Sequence, residues 1–221
     1  MLNFKKLVIL NGVTLAILVS VSASAEEQQY WADFSDPLAI YSNVGVAAGT
    51  EGVDIIASYG SYLAGQYKQK LTVEAKHDLD YYTVDYLVLN SSDDTGFIFN
   101  SQWGTDKNNW ENANKVSMGL IKKLPIVEDN ITLYPSLKLG FLWGEQLKDT
   151  TYVTADVTVR YAVTDALWIG VIPSYLYAME GEDLSEWDAT AEIGYQFVEG
   201  FAVSAHVNND NEYWADINFA F

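Results

Sequence analysis

Cysteine is absent from the 221 residues, proline occurs only four times, and basic residues are scarce, with 12 Lys+Arg against 30 Asp+Glu. Each shortage excludes a class. A chain without cysteine cannot be a disulfide scaffold. A formal charge of −18 and a pI near 4.2 provide no basic surface for nucleic acid, so no such partner is expected. Beyond residue 25 there is no long apolar run, and the mean hydropathy is −0.00, which excludes an array of membrane-spanning helices. Aromatic residues are plentiful: 7 Trp, 15 Tyr and 9 Phe are too many for a disordered acidic chain.

Residues 1–25 read as a secretory signal peptide. Lys5 and Lys6 form a positive start, Leu7 to Val21 an apolar core, and Ala23-Ser24-Ala25 a small-x-small cleavage site before Glu26-Glu27. The apolar core is short for a membrane span. Cleavage removes two lysines and no acid, so the charge moves from −18 to −20. Export without cysteine points to the bacterial envelope. Residues 26–37 read as a short N-terminal segment.

From about residue 38 the dominant period is two. In 151–163, Val153, Ala155, Val157, Val159, Tyr161 and Val163 share one face, while Thr154, Asp156, Thr158 and Arg160 share the other. Twelve such segments are expected: 38–47, 53–63, 66–76, 81–90, 95–103, 115–124, 131–143, 151–163, 166–178, 187–197, 200–208 and 212–221. Ten strands is the alternative count, because the first two segments are the least regular. Pro135 and Pro173 lie on the apolar phase inside their segments, and each predicts a bulge or a strand end.

Alternation alone fits a soluble β-sandwich as well as a membrane barrel. Three features favour the barrel. Nearly every segment alternates. Apolar-phase aromatics gather at segment ends, with Trp103, Trp143, Tyr177, Trp187 and Tyr213 at one rim and Tyr67, Phe97, Tyr195, Phe197 and Phe201 at the other, as in interfacial girdles. Connectors after every second strand are longer on average than the rest, as outer loops are relative to periplasmic turns. The expected fold is all-β, a single antiparallel transmembrane β-barrel over 38–221.

The last strand carries a further sign: Tyr213, Ala215, Ile217, Phe219 and the terminal Phe221 are in phase. This ending resembles the C-terminal signal of Gram-negative outer-membrane β-barrel proteins. The resemblance implies an outer-membrane location, contact with outer-membrane lipid, and reading of Tyr213, Ile217, Phe219 and Phe221 by the barrel-assembly machinery. It implies nothing about what the barrel does.

On these phases the interior face carries seven basic residues (Lys68, Lys70, Lys76, Lys115, Lys123, Lys138, Arg160) and seven acids (Asp54, Glu74, Asp85, Asp156, Asp188, Glu192, Asp216), so it is neutral and mixed. The acidity belongs to loops, turns and the N-terminal segment. A mixed lumen is either a network that closes the barrel or a wetted wall with opposed charges. The expected lining includes Lys68, Lys70, Lys138, Asp156, Arg160, Asp188, Glu192, His206 and Asp216. The function expected first is a small, weakly selective, porin-like channel for small hydrophilic solutes. The alternative is a closed structural or surface-binding barrel whose loops 104–114 and 179–186 contact a partner.

A hydrolase is the distant third reading. Turn registers place His206 opposite Glu192 and Ser204 opposite Asp216, so Glu192, His206 and Ser204 line one patch. The Ser-x-His order matches no catalytic signature, and His206 reads as a hydrogen-bonding residue held by Glu192. His77, beside Asp78 at a strand's outer end, reads as a rim residue. The acidic cluster Glu180, Glu182, Asp183 and Glu186 lacks the spacing of an EF-hand loop. No cofactor and no metal site is expected, and the chain is read as a non-enzyme.

Overall fold

A computed structural model describes residues 32–104, 113–127 and 130–221. The expected signal peptide and residues 26–31 lie outside the described residues, as does most of the 104–114 loop.

The alternation becomes two faces of one wall. In the segment Ile131–Trp143, Leu137, Leu139 and Phe141 are exposed while Tyr134, Ser136, Gly140 and Leu142 are buried. The apolar residues point outward and the polar ones inward, the reverse of a water-soluble fold. Such an exterior belongs in hydrocarbon. The strands are β1 (Asn43–Gly49), β2 (Gly52–Ala64), β3 (Tyr67–Lys76), β4 (Tyr81–Asn90), β5 (Thr95–Gly104), β6 (Asn114–Lys122) and β7 (Leu124–Val127). They continue with β8 (Ile131–Trp143), β9 (Thr150–Ala162), β10 (Leu167–Glu180), β11 (Ser185–Val198), β12 (Phe201–Asn208) and β13 (Tyr213–Ala220).

These thirteen segments make twelve staves. β6 pairs with β8 through Leu120↔Leu137, and β7 continues in the same register with Leu124↔Leu133, so β6 and β7 are one strand interrupted at Lys123. Every stave pairs antiparallel with its sequence neighbours. β1 closes the ring by pairing with both β2 and β13, so Val46 faces Ile55 on one side and Ile217 on the other. Closure leaves no edge with unpaired backbone groups, which hydrocarbon would not tolerate.

One end of the barrel carries the connections after β2, β4, β7, β9 and β11, each of two to four residues. The opposite end carries those after β1, β3, β5, β8, β10 and β12, of two to nine residues. The first end is periplasmic by the barrel rule. Aromatic pairs mark both rims on the outer face: Trp103 meets Trp143 edge-on at 5.8 Å, and Tyr195 meets Phe197 at 4.8 Å.

Three expectations need correction. First, no strand begins at residue 38: β1 starts at Asn43, and residues 38–42 lie inside the barrel. Second, neither proline ends a strand or shifts a register. Pro135 pairs with Val157. The β9–β10 ladder lapses after Val171↔Val159 and resumes at Ser174↔Asp156 in the same register, so Pro173 removes local pairing without a bulge. Register shifts occur near strand ends, as between Tyr62 and Ala64 and between Gln196 and Val198. Third, 179–186 is not a loop of that length. β10 and β11 extend toward each other and leave only Gly181–Leu184 between them.

Candidate functional site

The lumen divides into three levels. The outermost is a vestibule of about 490 Å³ beneath the β12–β13, β1–β2 and β3–β4 turns. Its wall holds Glu51, Asp54, Glu186, Asp188, Asp210 and Glu212 against the single lysine Lys76, with His77, Tyr81 and Trp214 among the rings. Six carboxylates around one lysine give this mouth a strongly negative potential. The other side of the outer lumen is filled. Leu142, Tyr152 and Ala113 are buried there, with Leu147, Leu176 and Leu184 packed against them. Glu182 ties that side down: its carboxylate accepts from Lys148 N at 2.7 Å, and its N–H donates to Thr150 Oγ1 at 2.8 Å. The β10–β11 hairpin thus turns Leu184 inward.

The waist is a polar belt crossing β9 to β1. Arg160 on β9 forms an ion pair with Glu192 on β11, across the intervening Gly170 of β10. Glycine leaves room for the pair, because a Cβ at 170 would lie 2.8 Å from both Arg160 Nη1 and Glu192 Cγ and those side chains would have to shift. Trp168 Nε1 donates to Glu192 Oε1 at 2.8 Å. Asp216 accepts from Ser204 Oγ at 2.7 Å and from Asn218 Nδ2 at 2.6 Å. Asn218 in turn accepts from Asn43 Nδ2 at 3.0 Å. A cavity of about 260 Å³ borders this belt and shares Ala47, Asp54, Lys76 and Trp214 with the vestibule.

His206 departs from expectation in one respect. It stands opposite Glu192 in register, but its Nε2 lies 2.7 Å from Asp216 and its Nδ1 is 3.8 Å from Glu192. Asp216 is therefore its holder. The ring stacks flat on Trp214, with centroids 4.9 Å apart and planes 3° apart, which turns Nε2 toward β13. Ser204 Oγ also reaches Nε2, at 3.1 Å. A nucleophile relay needs the carboxylate on one imidazole nitrogen and the hydroxyl on the other. Here Ser204 and Asp216 meet the same nitrogen, Ser204 donates to Asp216, and Glu192 stands 3.8 Å from the other nitrogen, beyond hydrogen-bond distance. This is a hydrogen-bonded cluster, not a nucleophile poised beside a base.

The remaining expected lining residues also point inward. Lys138 pairs with Asp156 at 2.9 Å, and Ser136 donates to the same carboxylate at 2.8 Å. Lys68 lies over the Tyr62 ring at 5.4 Å, and Asp188 belongs to the vestibule. Lys76 pairs with Glu74 at 3.2 Å. These partners are neighbours along or between adjacent staves. The wall charges thus neutralise one another along the wall rather than across the bore.

The periplasmic half holds what sequence reasoning missed. Residues 32–42 fold into the lumen as two consecutive turns. Asp33 Oδ1 accepts from Ser35 N and Oγ, and Ala39 N donates back to Asp36 O across Pro37-Leu38. Aspartate preceding a turn and proline at its second position favour this geometry. Leu38 is buried against Leu87, Leu89 and Tyr134. Lys123 pairs with Asp36 at 2.6 Å, Lys70 Nζ donates to Ala39 O at 2.9 Å, and Gln196 Nε2 donates to Ala32 O at 2.9 Å. The Tyr41 backbone crosses Gly60 so closely that a Cβ there would come within 2.7 Å of it. Burial, then the Asp33 and Asp36 carboxylates, hold the Tyr41 phenol above its ordinary pKa, so it stays neutral. The signal available in sequence is Asp36-Pro37-Leu38, which favours a turn just where the alternation predicts a strand start.

On the outer face of β13, Tyr213, Ile217 and Phe219 are exposed, and Phe221 follows the strand.

Comparison with solved structures identifies the fold. The COG4313 outer membrane channel from Pseudomonas putida F1 superposes with a TM-score of 0.61 at 10% identity, covering 89% of this chain and 100% of that one. The KdgM porin in complex with disordered oligogalacturonate gives 0.55 at 12% identity, over 82% of this chain and 99% of that one. The NanC porin gives 0.53 at 7% identity, over 83% and 99%. No protein-family description and no curated sequence matches the chain.

Proposed function

We propose, from the premise that this chain has the fold of the outer-membrane β-barrel porins and channels, that it is a passive channel for small hydrophilic solutes with a preference for cations. One observation carries the reading. The vestibule and the waist cavity share four wall residues, and the ion pair at the waist, Arg160 with Glu192, runs along the wall from β9 to β11 and not across the bore. A network built to close a barrel would join opposite walls; the ion pairs among the strands, Lys138–Asp156, Lys76–Glu74 and Arg160–Glu192, each stay on one side of it. The sign of the preference comes from the mouth, where six carboxylates stand against one lysine and raise the local concentration of cations.

The oligogalacturonate held by the KdgM porin is polyanionic. A negative vestibule disfavours its entry, so the fold likeness does not extend to that solute. Export by cleavage after Ala25, and recognition of Tyr213, Ile217, Phe219 and Phe221 by the assembly machinery, belong to the same proposal. The mass of the protein purified from outer membranes tests the first. The outer-membrane yield of a Phe221-deleted chain tests the second.

The channel is tested in planar lipid bilayers. Folded protein is expected to give discrete conductance steps, with a reversal potential on the cation side in a KCl gradient. Silence from both the intact chain and one lacking residues 33–41, with folding verified by heat-modifiable gel mobility, removes the channel reading. An anion-side potential removes the role given to the vestibule.

A further inference from the structure

The barrel wall is complete without residues 32–42. β1 pairs with β2 and β13 from Asn43 onward, and no ladder includes the segment. Within the described residues its one covalent attachment to the wall is the Ser42–Asn43 bond. Its position is nevertheless decisive for any flow. Phe34 borders the 260 Å³ waist cavity, and Pro37 and Leu38 border a 220 Å³ cavity in the periplasmic half. The two cavities share Glu74 of the wall, and the segment lies between them.

The attachments are non-covalent side-chain contacts, hydrogen bonds and packing, and none of them is a ladder bond. Lys123 and Asp36 form an ion pair whose side chains are 31% and 12% exposed, so water reaches it. Lys70 and Gln196 donate to backbone carbonyls, and Ser42 Oγ accepts from Gly60 N at 3.1 Å. Leu38 and Ala32 are buried, and Ile40 packs beside Leu38. A segment locked permanently in place would be woven into the ladders; this one is laid inside them. Local openings draw on segments that no ladder bond ties to the rest of the fold.

We infer that residues 32–42 are a removable stopper, hinged at Asn43 and latched by Asp36 on Lys123, and that the conducting state is the one in which they have left the periplasmic half of the lumen. The inference rests on the channel reading. It adds that closure is a property of this segment, not of the wall.

Three forms of the full chain test it in planar bilayers: wild type, a deletion of residues 33–41, and Lys123→Gln. The deletion is expected to hold the channel open throughout, at the wild-type open-state conductance. Lys123→Gln is expected to raise the fraction of time open while the open-state conductance stays at the wild-type value. The chain has no cysteine, so Asp36→Cys with Lys123→Cys can be bridged cleanly by a short bis-thiosulfonate reagent. The bridge is expected to hold the channel shut until a reductant opens it. This arm does not depend on the deletion folding. A conducting wild type with unchanged deletion and bridged forms overturns the stopper and leaves the channel standing. Silence from every folded form, deletion included, overturns the channel itself.

Discussion

Arg160 and Glu192 meet across a strand to which neither belongs. Gly170 of β10 stands opposite both, and the guanidinium passes over it to reach the carboxylate. The pair therefore depends on a residue that has no side chain. Gly170→Leu is predicted to part the two charges where neither is well solvated, and to destabilise the barrel by about 3 kcal/mol. Urea unfolding in detergent, followed by Trp fluorescence, measures it. An unchanged midpoint would show that the pair relaxes around the new side chain and that Gly170 is dispensable.

The same geometry separates the value of the pair from the penalty of breaking it. Arg160→Met leaves Glu192 buried with only Trp168 as donor, and is predicted to cost about 3–5 kcal/mol. Arg160→Met combined with Glu192→Met removes both charges and is predicted to recover all but about 1 kcal/mol of that loss. Arg160→Met alone also leaves the waist more negative, so its reversal potential should move further to the cation side. Additive destabilisation in the double variant would sink the pairing argument.

Most of the wall was legible in the sequence because the signals that set it are local. A period of two fixes which residues face lipid, and short polar turns fix the register, as with Glu192↔His206 and Ser204↔Asp216. The interior was less legible because its contacts depend on side-chain reach. Register places His206 opposite Glu192, but stacking on Trp214 gives it to Asp216. The inserted segment was hidden by coincidence of pattern. Leu38, Ile40 and Ser42 alternate with Ala39 and Tyr41 as strand residues would, yet Asp36-Pro37 turns the chain inward before β1 begins. The prolines misled in the other direction. Pro135 and Pro173 lie on the lipid face within ladders whose flanking pairs hold the register, so neither shifts its strand.

The negative vestibule gives a charge-reduction experiment. Glu51→Gln, Asp188→Asn and Asp210→Asn together remove three of its six carboxylates while leaving the Lys76–Glu74 pair intact. Cation-over-anion permeability is predicted to fall, measured by reversal potential at low salt. The difference from wild type should shrink near 1 M KCl, where screening acts within about 3 Å. A preference untouched by the triple variant would place selectivity at the waist instead.

Leu38 separates the stability of the inserted segment from that of the barrel. Its side chain is buried against β4 and β8, but its backbone joins no ladder. Leu38→Ala removes a buried leucine, a change of about 2–5 kcal/mol at a well-packed site. In a residue woven into the wall, that loss would appear in global unfolding. Here it should appear in local release, because the ladders from Asn43 onward keep all their partners. Hydrogen exchange is the discriminating measurement. The Ala39 amide, which donates to Asp36 O, is predicted to exchange more than about tenfold faster in Leu38→Ala, whereas the Val46 amide between β2 and β13 keeps its wild-type rate. Equal acceleration at both amides would mean that segment and barrel open as one unit.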